Sequence, residues 1–90
     1  MTNKPEDLLI QAANNVPEVT LRYFRIVCEL KWQYDGGDVR WVDTQRNYSD
    51  EKNFRNGLTT CRLQRKNGHV RNIRMQVIQT TVLKEVTDAE

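Results

Sequence analysis

Between Lys52 and Lys84 the chain carries eight basic residues and no Asp or Glu. The first 51 residues hold the opposite balance, six Lys or Arg against nine Asp or Glu. A change of sign inside one short chain points to a surface aimed at something anionic. The density is greatest from residue 62 to 74, where Arg62, Arg65, Lys66, His69, Arg71 and Arg74 alternate with Gln64, Asn67 and Asn72. A guanidinium grips phosphate at two points, and side-chain amides can meet base edges. The chemistry expected here is contact with nucleic acid, with Lys52 and Arg55 extending the same patch. DNA and RNA are not distinguished by these residues. An acidic protein surface satisfies the same charges.

Other chemistries find less support. Catalysis needs a positioned nucleophile, base or metal. The one histidine, His69, sits among cations with no neighbouring carboxylate in sequence to orient it, so no enzymatic activity is expected. Cys28 and Cys61 lie thirty-three positions apart, without the close spacing of a zinc site. Asp35, Asp38 and Asp43 do not make a calcium loop, and no Lys-Ser/Thr follows Gly36-Gly37 as a phosphate loop requires. No metal and no cofactor are expected.

These groups need a scaffold. Pro5, with Glu6 and Asp7 behind it, opens a helix expected to run to Asn15, with Leu8, Leu9, Ala12, Ala13 and Val16 as its apolar stripe. From Phe24 the period becomes two: Phe24, Ile26, Cys28, Leu30, Trp32 and Tyr34 share one strand face. An opposite phase at Val19, Leu21 and Tyr23 predicts a bulge near residues 22–24. Asp35-Gly36-Gly37-Asp38 predicts a two-residue turn that places Trp32 opposite Trp41 and Tyr34 opposite Val39. Residues 49–57 read equally as a short helix stopped by Gly57 or as a loop. Asn67-Gly68 between extended runs predicts a second hairpin, with Arg62 facing Ile73 and the cations at a projecting tip. No aromatic lies in that hairpin, so the stacking platform for single-stranded nucleic acid is missing from its tip.

Ninety residues make one domain with one modest core. An apolar fraction of 38% is too high for a disordered chain, and no apolar run approaches the ~20 residues of a membrane span. Two cysteines and no signal peptide fit reduced thiols in the cytoplasm. The expected fold is α+β: an N-terminal helix on a four-stranded antiparallel sheet, strands near 18–34, 38–47, 58–66 and 69–85. The element order is that of a helix laid over a curved meander, as in cystatin-like architectures, an analogy without functional weight. Long outer strands allow a homodimer by edge pairing. The function expected first is a small nucleic-acid-binding accessory protein with a basic β-hairpin. The alternative is a protein-binding adaptor or inhibitor that docks on an acidic partner or by sheet-edge pairing.

Overall fold

The computed structural model describes residues 4–15 and 22–88. Helix α1 spans Pro5–Asn14, and strands β1 (Tyr23–Gln33) and β2 (Val39–Tyr48) form the first hairpin. Helix α2 (Glu51–Lys66) follows, and strands β3 (Val70–Ile78) and β4 (Val82–Thr87) form the second hairpin. All neighbouring strands are antiparallel, in the order β2-β1-β3-β4. The fold is the expected α+β arrangement, with α1 packed on β3 and β4. It is not a plain meander, because α2 carries the chain across the sheet between the two hairpins. The expected strand start at residue 18, the phase of Val19 and Leu21, and Val16 lie outside the described residues. The one irregularity in β1 pairing falls between Val27 and Glu29, not near residues 22–24.

The largest departure from the sequence pattern is residues 58–66, expected as a strand and found as the second half of α2. Its apolar residues Phe54, Leu58 and Cys61 recur at i, i+4 and i+7, so one helical face can bury all three, and it does. Asp50 caps the start, its side chain accepting from the Asn53 amide at 2.7 Å. Gly68 ends it in the left-handed region at φ +83°. The Gly68 amide donates to Arg65 O and the His69 amide to Gln64 O, the paired bonds of a Schellman cap. Asn-Gly therefore stops a helix here and does not turn a hairpin. The expected single strand 69–85 is divided by a turn at residues 79–81 into β3 and β4.

Both helices cover the same sheet face. Phe24, Ile26 and Cys28 of β1 and Ile73, Met75 and Val77 of β3 meet Phe54, Leu58 and Cys61 of α2 and Leu9, Ile10 and Ala13 of α1. On α1 the buried stripe is Glu6, Leu9, Ile10 and Ala13, with Leu8 turned to solvent, a rotation from the expected stripe. Phe24 and Phe54 stack at 4.8 Å between centroids, pinning α2 to the central strand. Each such side chain contributes about 1.5–3 kcal/mol by leaving water.

Gly57, expected as a helix stop, lies inside α2 with the Tyr48 ring against it. A Cβ at this position would stand 2.9 Å from Tyr48 Cε1 and closer still to Cζ and Oη. Gly-to-Ala in a helix interior ordinarily stabilises by about 1 kcal/mol. Here Gly57→Ala is expected to lower stability by roughly 1–2 kcal/mol, because Tyr48 must leave its seat beside Phe54. In a Tyr48→Ala background the same substitution should stabilise. Urea midpoints of the four proteins in this cycle measure the change of sign.

Candidate functional site

Two of the cations expected at a projecting tip turn inward instead. Arg62 on α2 donates to Glu6 Oε2 at 2.6 Å and Oε1 at 3.0 Å. The same guanidinium donates to Asp88 Oδ1 at 2.7 Å and Oδ2 at 3.0 Å. Arg65 joins Asp88 at 2.7 Å. Both carboxylates are 5% exposed, so this cluster ties α1, α2 and the end of β4 together within the protein. Arg55 reaches Asp7 at 3.0 Å and Glu51 at 3.2 Å.

Arg71 is held on the opposite, helix-free face of the sheet. It donates to Glu29 at 3.2 Å and lies 4.2 Å over the Trp41 ring. Asn72, in the left-handed region at φ +56°, donates to the same Glu29 carboxylate, and the extra residue there is the β3 side of the bulge. Arg74 borders an open depression of ≈ 380 Å³ with Glu29, Asn72 and Thr87, and its Nε is buried without a partner. Lys52, Lys66 and His69 are exposed and make no ion pair among the described residues. Of the eight residues expected to touch phosphate, Arg55, Arg62, Arg65 and Arg71 thus face carboxylates of this chain. No ribbon stands around Asn67-Gly68 to gather the rest.

What does project is the first hairpin. Residues 31–40 are all exposed. Its turn contains three residues, not two: the Tyr34 amide donates to Asp38 O at 2.8 Å across Asp35-Gly36-Gly37, both glycines having positive φ. One added residue moves β2 by one position, pairing Trp41 with Lys31 and Arg40 with Trp32. The expected Trp32–Trp41 contact is replaced by two tryptophans on opposite faces. Trp41 takes its place beneath Arg71. Trp32 and Tyr34 stay on the helix-bearing side, beyond the end of α2, at 52% and 45% exposure.

That side of the finger is chemically coherent. Trp32 meets Tyr34 edge-on at 6.3 Å, and Arg40 lies 5.3 Å over the Tyr34 ring. Val42 is also exposed, and from Arg40 to Arg46 this side of β2 carries no carboxylate. β2 is an edge strand, so its outer backbone groups have no sheet neighbour among the described residues. The aromatic side chains are legible in sequence as one strand face, a pattern that does not tell core from solvent. Only the turn length and the end of α2 reveal that they stand in water.

No helix among the described residues is long and apolar enough to cross a membrane, and no three metal-ligating side chains gather there. Set against known protein families, curated proteins and solved structures, the chain matches none of them.

The inward cluster makes stability depend on acid. The hydrogen bond from Arg62 holds the Glu6 carboxyl below the usual range. Burial opposes ionisation of Asp88, but bonding from Arg62 and the charges of Arg62 and Arg65 outweigh it and lower that group too. Groups lowered on folding stabilise fully above their unfolded values of 4.5 and 3.8, and this is lost as pH falls through the folded values. Urea midpoints are expected to hold from pH 7 to 5 and drop steeply below about 4, with a shallower drop in Glu6→Gln/Asp88→Asn. Arg62→Met, which strands the buried Glu6 carboxylate and leaves Asp88 with Arg65 alone, is expected to cost about 3 kcal/mol at pH 7 by the same measurement.

Proposed function

We propose that the chain is a protein-binding module that docks through the helix-side face of its first hairpin, centred on Trp32, Tyr34, Arg40 and Val42. The observation that supports this reading is the combination of large apolar rings left in solvent with an arginine free of carboxylate partners among the described residues. Trp, Tyr and Arg are the residues that carry most binding energy in protein interfaces. Solvent-exposed apolar groups clustered on one projecting element mark contact sites. The open edge of β2 offers backbone bonds to an added strand, and Arg40 and Arg46 favour an acidic partner surface.

A second reading, contact with single-stranded nucleic acid, draws on the same face. Trp32 and Tyr34 can stack bases, and Arg40, Arg46 and Lys66 can meet phosphates. This replaces the basic hairpin around residue 68 as the place where such contact would occur. It ranks second because four of the arginines first assigned to phosphate already have carboxylate partners.

Two measurements separate the readings. Partner capture with the whole protein, repeated with Trp32→Ala/Tyr34→Ala, should lose one defined protein with at least a thirtyfold fall in affinity. Fluorescence polarisation with labelled 20-nucleotide DNA and RNA should show weak binding at 150 mM salt. A tight complex whose log affinity falls by roughly 0.7 per contacted phosphate with log salt, and which the aromatic substitutions abolish, would establish the second reading instead.

A further inference from the structure

Cys28 and Cys61 take part in none of these surfaces. Thirty-three positions apart in sequence, they are brought by β1 and α2 to the walls of one small cavity of ≈ 20 Å³ in the helix–sheet interface. Both are free thiols, 5% and 3% exposed. Ile26, Leu30 and Val70 line the rest of it together with Thr44, Arg46 and Gln64, with no carboxylate among them. Burial pushes the Cys28 thiol up to about 11, and the neighbouring Cys61 thiol adds to this. Burial raises Cys61 as well, opposed by the Arg46 guanidinium and by the Cys28 thiol. Arg46 makes no ion pair among the described residues, so its charge is available to a nearby thiolate.

We propose that Cys28 and Cys61 are an oxidisable dithiol that a small peroxide converts into a disulfide joining β1 to α2, with Arg46 as the positioning charge. An opening this narrow excludes a bulky disulfide such as oxidised glutathione, whereas hydrogen peroxide, only two oxygens long, reaches the thiols with small movements of the lining side chains. Cys61 gives up its proton to solvent, and its thiolate attacks one peroxide oxygen. The O–O bond breaks, the leaving hydroxide takes a proton to become water, and Cys61 is left as a sulfenic acid. The Cys28 sulfur then attacks the Cys61 sulfur and displaces hydroxide, which leaves as water with the Cys28 proton. The dithiol loses two electrons and the peroxide gains them.

The test treats the intact, folded protein with hydrogen peroxide and, separately, with oxidised glutathione, followed by mass spectrometry and peptide mapping. Peroxide is expected to remove two hydrogens and link the peptides containing Cys28 and Cys61, reversibly with dithiothreitol, while oxidised glutathione leaves both thiols free. In Cys28→Ser, peroxide should leave a sulfenic acid at Cys61, detected by dimedone labelling. Arg46→Gln, whose fold is checked by circular dichroism, should slow the reaction roughly tenfold, the effect of about one unit in thiol pKa. Thiols that stay intact until denaturant is added, links formed only between molecules, or a rate unchanged in Arg46→Gln would each overturn the proposal.

Discussion

The closure of this small domain depends on one guanidinium. Arg62 donates four hydrogen bonds to two carboxylates that come from near the two ends of the described chain, Glu6 on α1 and Asp88 beyond β4. Charges taken out of water are costly unless each is matched in charge and geometry, and a bidentate fork supplies both. Because Arg62 follows Cys61 at the flank of the buried face of α2, its position also fixes where α1 and the end of β4 must lie. Arg65 strengthens the same clasp from one turn further on.

That constraint redistributes the charge of the whole molecule. A segment rich in basic residues looks in sequence like a surface waiting for an anion. In the fold, much of that charge faces acids from the other half of the chain: Arg55 to Asp7, Arg62 to Glu6, Arg71 to Glu29. The sign asymmetry between the halves is thus partly the record of internal complementarity. The surface left with exposed rings and unmatched cations is the first hairpin, which in sequence looked like the apolar half of the core.

Some of the architecture was legible because it is written in local period. Pro5 and the acids after it define α1, and six alternations from Phe24 define β1. Ile73, Met75 and Val77 alternate with polar neighbours, the period of a strand with one buried face, and all three are buried. Helix α2 was not legible, for physical reasons particular to its residues. Thr59 and Thr60 favour extended backbone and are accommodated by bonding back to the Arg55 and Asn56 carbonyls. Gly57 interrupts the helix pattern for the sake of Tyr48, and Asn67-Gly68 serves a cap as readily as a hairpin. The decisive contact, Arg62 with Glu6, spans 56 positions and leaves no local trace. The site was obscured by a smaller matter, a turn of three residues where two fitted the pattern equally well.

The length of that turn has a consequence for how the finger can change over time. Strand β1 is locked by its neighbours on both sides, so an insertion or deletion at Gly36-Gly37 that keeps a three-residue turn is absorbed entirely by β2. Every side chain of β2 then exchanges sides at once, as the twofold repeat of a strand demands. Losing one glycine while keeping a three-residue turn would carry Trp41 off Arg71 and bring it beside Trp32, with Arg40 and Val42 passing to the other face, whereas a two-residue turn would leave every pair as it is. The register set at the loop therefore governs the makeup of two surfaces together, and single substitutions within the strands cannot reproduce its effect.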